Sequence, residues 1–139
     1  MTQGIESIIT LVTAKLENRG FTVMREFSAV DSLVHADKML GVISIDECRT
    51  VAQAFDNTDM SLCTEVDYAL CLRLFGKSGD FVDYEDLSDA CTKLFYDIVS
   101  DGSMLICKMQ MSKAVQSMPL KRLERDMTFT VRVMQKAEV

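Results

Sequence analysis

Apolar residues at the N-terminal end of the chain recur with the spacing of one helix face. They lie three or four positions apart and are Ile5, Ile8, Ile9, Val12 and Leu16. This period predicts an amphipathic helix over residues 4–18. Gly20 is expected to end it, because glycine readily adopts the left-handed conformation found just past a helix.

A second stripe with helical spacing lies in the middle of the chain. Its members are Leu87, Cys91, Leu94, Phe95 and Ile98. The stripe predicts a helix over Tyr84–Val99. Asp83 is the expected N-cap, since its carboxylate can accept a hydrogen bond from a free amide of the first turn.

Other segments alternate between apolar and polar residues and are therefore predicted to be strands. The predicted strands cover residues 21–27, 39–48, 62–75, 103–113 and 123–134. The clearest alternation is in 62–75 and 123–134, where each segment has one apolar and one polar face. Residues 28–38 lack a clear period and are interpreted as a loop or short helix. A polar cluster, Asp56–Asp59, predicts a long turn over residues 50–62.

These elements follow one another in the order α-β-β-β-α-β-β and predict an α+β fold. Two helices packed on one face of a mostly antiparallel sheet would bury both helix stripes and the apolar strand faces in one core. The length of 139 residues is typical of one domain. Residues 1–139 are therefore interpreted as a single domain, with 28–60 as an extended loop or insertion.

Composition and charge exclude several classes of protein. The 15 lysines and arginines are outnumbered by 21 aspartates and glutamates, giving a net charge of −6. A surface for duplex nucleic acid requires clustered positive charge, so sequence-specific nucleic-acid binding is not expected. No apolar run is long enough to span a bilayer, so no membrane partner is expected. The N-terminus lacks the basic and apolar regions of a signal peptide, which predicts an intracellular protein.

The residues that usually carry chemistry do not form a recognisable site. His35 is the only histidine, and no motif joins it to a nucleophile. The five cysteines lie singly, without a CxxC pair, and are interpreted as reduced thiols. Gly76-Lys77-Ser78 lacks the upstream glycine of a phosphate-binding loop, since position 71 is Cys71. The sequence therefore predicts no catalytic residues, no metal and no cofactor.

Methionine is abundant, with ten in the chain, and several cluster between residues 104 and 118. Flexible thioether side chains either fill a core or form contact surfaces that can repack, and both roles are open here. The predicted subunit or partner interface combines part of this cluster with the residues that follow it. Its members are Met109, Met111, Met118, Leu120, Arg122, Arg125 and Arg132.

The order of elements resembles the tail terminator or tail-completion proteins of long-tailed phages and phage-tail-like particles. The resemblance rests on a strong strand ending in Leu74-Phe-Gly-Lys77, a tyrosine-containing helix, and two closing strands. It also rests on the segment Ser117–Val133, where a loop leads into a strand of alternating hydrophobicity. The same features are compatible with a neighbouring neck or completion protein.

The resemblance implies a structural assembly protein and not an enzyme. Such a protein forms a hexameric ring with copies of itself, caps the tail tube, stops its polymerisation and docks the head or neck. The implied partners are the tail tube protein, a neck or head-completion protein and, in contractile systems, the sheath. The implied location is the host cytoplasm during assembly and then the phage or phage-like tail particle. The alternative is a small adaptor or chaperone-like binding module with one protein partner.

Overall fold

The structure is a computed structural model that describes residues 4–24, 38–56, 61–77, 81–117 and 122–138. For residues 51–56, 61–63, 81–82, 117 and 135–138 it describes the backbone alone. The elements, numbered in chain order, are α1 (Ile5–Asn18), β1 (Phe21–Met24), β2 (Met39–Asp56), β3 (Ser61–Phe75), α2 (Phe81–Val99), β4 (Leu105–Met111), β5 (Val115–Ser117) and β6 (Arg122–Glu138).

Helix α1 confirms the first predicted helix. Ile8, Val12 and Leu16 are buried along one stripe, as the spacing predicts. The helix ends at Asn18, and Gly20 follows with a φ of 90°. The amide of Gly20 donates a hydrogen bond to the carbonyl of Glu17, so the left-handed glycine satisfies one carbonyl of the last turn.

Helix α2 confirms the second predicted helix, but its start was placed too late. It begins at Phe81, so Asp83 lies within the first turn and is not the N-cap. The prediction relied on Asp83 as the nearest suitable cap, whereas the helical backbone extends back through Phe81 and Val82. Leu87, Cys91, Leu94 and Ile98 form its buried stripe.

The strands form one six-stranded sheet within the described residues, in the order β1-β2-β3-β6-β4, with β5 paired to β6. β1 and β2 are parallel, and every other described pair is antiparallel. The α+β class and the approximate order of elements are therefore confirmed. β5 was not predicted. In the structure, residues 112–114 interrupt the pairing with β6, so the chain after β4 forms a separate short strand.

The predicted long turn over residues 50–62 was wrong at both ends. β2 continues through Asp56 and β3 begins at Ser61, with Asp56 opposite Ser61. Residues 57–60 and residues 25–37 lie outside the described residues. Residues 39–56 form a strand, so this part of 28–60 is not an extended loop. The interpretation of 28–60 as an insertion stays a prediction. The strand extends past the predicted end at residue 48 because its backbone pairs with β3 as far as Asp56, which is a contact between segments and not a local pattern.

One face of the sheet packs against the helices, and we call it the helix face. A Cβ placed on Gly41 of β2 would lie 3.4 Å from a methyl group of Leu16 in α1, which shows how closely the helix approaches. The sheet residues on this face are buried, as the alternation of β3 and β6 predicts: Val66, Tyr68, Leu70, Leu72, Leu74, Leu123, Met127, Phe129, Val131 and Val133.

The opposite face of the sheet, here called the open face, is not covered by either helix. On β6 it carries Glu124, Asp126, Thr128, Thr130 and Arg132, all of them half-buried. The polar side chains of β6 therefore lie on the face away from the helices, where a solvated or partner-facing surface is expected.

Two ion pairs join the C-terminal ends of the helices. Lys15 Nζ of α1 lies 2.9 Å from Asp101 Oδ2, just after α2. Arg19 makes a two-pronged contact with Asp97 of α2, with Nε–Oδ2 at 2.6 Å and Nη2–Oδ1 at 2.9 Å. The hydrogen bond from Arg19 lowers the pKa of Asp97. These contacts fix the two helices relative to each other over the sheet.

Candidate assembly interface

The sheet has two edges that lack a partner strand among the described residues. On one side, β1 pairs with β2 only through Val42. The rest of β2 pairs with β3 on one side and with no described strand on the other. On the opposite side, β4 pairs with β6 alone. Unpaired edges expose backbone donors and acceptors that can accept another strand.

The β4 edge combines apolar and polar residues. Ile106, Met109 and Met111 are half-buried and pack against the core on the helix face. Lys108 is exposed, and Leu105 leaves 60% of its surface accessible. The two predicted interface methionines of this strand therefore fill the margin of the core and also lie at the border of the sheet. At this position a methionine can both fill the core and belong to a contact surface, so the two roles are compatible.

The part of β2 past Val42, which has no described partner strand on this side, lies beside an apolar groove. The groove has a volume of about 770 Å³ and separates α1 from β1 and β2. Its walls include Ile9 of α1, Val23 of β1, and Ile43 and Ile45 of β2. Ile45 is 47% exposed and adds apolar surface at the outer end of the groove. The groove thus extends the helix face to the edge of the sheet.

The strand pairings define rows that cross the whole sheet. On the helix face, Ile43 is linked through Leu72 and Met127 to Met111, and Ile45 through Leu70 and Phe129 to Met109. On the open face, one row runs Glu47, Ala69, Thr130 and Lys108. Each row therefore begins on the free edge of β2 and ends on β4.

Arg122, one of the predicted interface residues, is used inside the protomer. Its side chain is 2% exposed, and Nη1 donates hydrogen bonds to the carbonyl oxygens of Lys38 at 2.8 Å and Gly76 at 3.0 Å. A buried guanidinium requires such partners, and here it joins the start of β6 to the segments before β2 and after β3. The sequence could not reveal this, because the three segments are far apart along the chain.

Arg125 and Arg132 also have partners within the protomer. Arg125 Nε donates to the carbonyl of Ser112 at 2.7 Å. Arg132 binds Asp67 on the open face, with Nε–Oδ1 at 2.8 Å and Nη2–Oδ2 at 3.2 Å. These hydrogen bonds lower the pKa of Asp67 and raise that of Arg132. Both arginines are half-buried, so each keeps part of its surface at the exterior.

Met118 and Leu120 lie outside the described residues, as does His35. Of the predicted interface, the structure therefore brings Met109 and Met111 together on β4 and places the three arginines along β6. The complete set stays a prediction.

Four cysteines have described side chains, and all four are free thiols. Cys71 and Cys91 are buried, whereas Cys48 and Cys107 are exposed on the two sheet edges. Burial raises the pKa of Cys71 and raises that of Cys91 to about 12, so both buried thiols are protonated and unreactive near neutral pH.

Within the described ranges, no three His, Cys, Asp or Glu residues converge to hold a metal ion. Neither described helix is long and apolar enough to cross a membrane.

The comparisons with known proteins give a match in structure but not in sequence. No protein-family model matches the sequence, and no curated protein resembles it in sequence. Among solved structures, the fold matches the sheath/tube terminator of PVC, an extracellular contractile injection system, in its extended state. The TM-score is 0.53 and the identity 12%, over 97% of this chain and 58% of that chain.

The chain therefore has the fold of a sheath/tube terminator, and it spans 58% of the length of the terminator chain that it matches. The tail-terminator resemblance seen in the sequence is confirmed at the level of the fold.

The sequence did not identify the edge of β2 as a candidate surface. Its only signal was Ile43 and Ile45, which alternate with polar residues before a stretch that was interpreted as a turn. The groove and the rows depend on pairing between distant strands, which no local pattern encodes.

Proposed function

We propose that this chain is a tail terminator that assembles with copies of itself into a hexameric ring on the end of a tail tube. The ring stops further polymerisation of the tube and presents its other side to the neck or head. In a contractile particle it also contacts the sheath. Assembly takes place in the host cytoplasm, and the ring then remains in the phage or phage-like tail particle.

The observation that carries this proposal is the match of 97% of the chain to a sheath/tube terminator. Because nearly all of the chain takes part, the likeness concerns the whole domain and not a common motif. One further feature supports it. The sheet has an edge without a described partner strand on each side, as expected of a protein that assembles by pairing strands with other copies.

The test is a capping experiment on preformed tail tubes. Tubes of the tail tube protein from the same particle are incubated with the chain and then offered fresh tube protein. We expect gold-labelled chain at tube ends only, and tubes that no longer lengthen in negative-stain electron micrographs. Label spread along tube walls, or growth at the rate of untreated tubes, would contradict the proposal.

A second candidate function is a small adaptor or chaperone-like module with one protein partner. It is favoured by the largely apolar groove between α1 and β2, which an apolar segment of a partner could enter. The two functions differ in assembly. An adaptor remains a monomer at all concentrations and ignores tube ends, whereas a terminator forms a ring in solution or on the tube.

A further inference from the structure

We infer that β4 of one copy of this chain adds to the free edge of β2 in the next copy, continuing the sheet from subunit to subunit. The inference rests on the proposed function, because it assigns the contact by which the ring would close. It commits to a second copy of this chain as the occupant of the β2 edge, and the chemistry of the two edges is the reason.

The strand directions allow this pairing. β4 is antiparallel to β6, β6 to β3, and β3 to β2, so β4 runs antiparallel to β2 within one subunit. A neighbour placed with its sheet continuing the first would therefore bring its β4 antiparallel to β2. Two different edges would meet, which makes the contact heterologous, and a heterologous contact can close a ring.

The lengths also match. The rows across the sheet place Met111 level with Ile43 and Leu105 level with Arg49. β1 occupies the edge of β2 only through Val42. If the neighbour kept the same rows, its β4 would end at Met111, beside the first β2 position past β1. Its β5, which lies at the level of Leu40, would then have to leave the plane of the sheet to pass β1.

The side chains in these rows complement each other on the helix face. Met111 would lie beside Ile43, and Met109 beside Ile45, next to the groove that Ile9 borders. All of these side chains are apolar. They are half-buried or exposed within the single subunit, so pairing would remove further apolar surface from water.

The open face supplies a charge pair. Glu47 on β2 and Lys108 on β4 end the same row, and both are exposed. In the inferred contact the lysine of one subunit lies beside the glutamate of the next. Opposite charges directly across a strand pair stabilise it, and like charges destabilise it. This row therefore favours the inferred register and the choice of partner edge.

Both edges carry β-bulges. β2 has one at Asp46 and a second at Val51, outside the inferred contact, and β4 has one at Cys107. Bulges discourage indiscriminate edge pairing. In the inferred register the bulges at Asp46 and Cys107 fall on opposite sides of the Glu47–Lys108 row, so each would have to fit against a regular stretch of its partner. A strand whose bulge lay elsewhere relative to this row would match these edges less well.

A charge exchange tests the inference. Glu47→Lys and Lys108→Glu each place like charges in the row, and we expect each to raise the concentration needed for assembly by roughly tenfold or more. The double variant restores opposite charges and should recover assembly. Lys77→Glu is the matched control, because Lys77 is an exposed lysine outside both edges. The assay is absolute mass by light scattering, together with binding to the ends of preformed tail tubes.

Cysteine cross-linking provides an independent measurement. Ile45→Cys and Met109→Cys are introduced together, with the exposed Cys48 and Cys107 replaced by serine. Within one subunit the two positions are separated by three strand spacings, roughly 14 Å, which is too far for a disulfide. Oxidation should therefore give a ladder of covalently linked chains. Ile45→Cys with Val115→Cys, on β5, is the control pair and should give none.

The outcomes separate the two proposals. If both charge reversals assemble and cap tubes like the unmodified chain, and the 45–109 pair gives no ladder, the edge inference is wrong while the terminator proposal stands. If the unmodified chain forms no ring and ignores tube ends, yet the ladder appears, the edge contact stands without the terminator function. If neither ring, capping nor ladder is seen, both are wrong.

Discussion

Asp101 connects the ends of the two helices, and replacing it with asparagine isolates the contribution of its charge. Its Oδ2 lies 2.9 Å from Lys15 Nζ, and its Oδ1 accepts hydrogen bonds from the Ser103 amide at 2.8 Å and hydroxyl at 2.6 Å. The asparagine oxygen can still accept from Ser103. Asp101→Asn therefore removes the ion pair while leaving the turn after α2 its local hydrogen bonds.

The hydrogen bond from Lys15, followed by those from Ser103, lowers the pKa of Asp101 from 3.8 to about 2. A shift of this size corresponds to roughly 2.5 kcal/mol of free energy of unfolding. The side chain is 17% exposed, so solvent screens part of this interaction. We therefore expect Asp101→Asn to lower the free energy of unfolding by about 1–2 kcal/mol at pH 7.

The pH dependence follows from the sign of the shift. A carboxyl whose pKa is lower in the folded protein stabilises it above the unfolded pKa and loses that effect as the pH falls through the folded pKa. The difference between the unmodified chain and Asp101→Asn should therefore be complete above about pH 4 and should disappear towards about pH 2. Urea unfolding of both proteins across this range measures it, since the other carboxyl groups titrate in both.

The matched control is Asp89→Asn. Asp89 also lies 2.9 Å from a lysine, Lys93, but these side chains are 67% and 54% exposed. This exposed pair on one helix should contribute less than about 0.5 kcal/mol. The reasoning would be refuted if Asp101→Asn unfolded within error of the unmodified chain at pH 7, or if its deficit persisted unchanged at the acid limit.

Two further results are expected from the same structure. Arg122→Met should lower the free energy of unfolding by about 1–3 kcal/mol, because the carbonyls of Lys38 and Gly76 lose their charged donor. The folded fraction should still assemble, as light scattering at low temperature would show, and loss of assembly with unchanged stability would instead place Arg122 at an interface. Thiol labelling at pH 7.5 followed by mass spectrometry should modify Cys48 and Cys107 rapidly and Cys91 only on unfolding, because burial raises the pKa of Cys91 to about 12. Labelling of Cys91 at the rate of Cys48 would show that the core opens far more readily than its packing indicates.

The sequence determined the features that depend on neighbouring residues along the chain. Stripes in α1 and α2 predicted both helices, because a helix that packs on a sheet must place apolar residues every three or four positions. Alternation in β3 and β6 predicted which face is buried, since side chains of a strand point to opposite sides in turn. The position of Met109 and Met111 at a contact surface was also suggested by composition, and it remains a prediction.

Only the tertiary structure decided the features that depend on distant residues. β2 continues to Asp56, beyond the strand end predicted at residue 48, because β3 pairs with it along its length. Arg122 resembles a surface cation in the sequence, yet it is buried because carbonyls from two other segments converge on it. The rows from Glu47 to Lys108 arise from three successive strand pairings, each with its own register. Register is a relation between strands, so a local pattern can indicate that a strand exists but not which side chain will lie beside it.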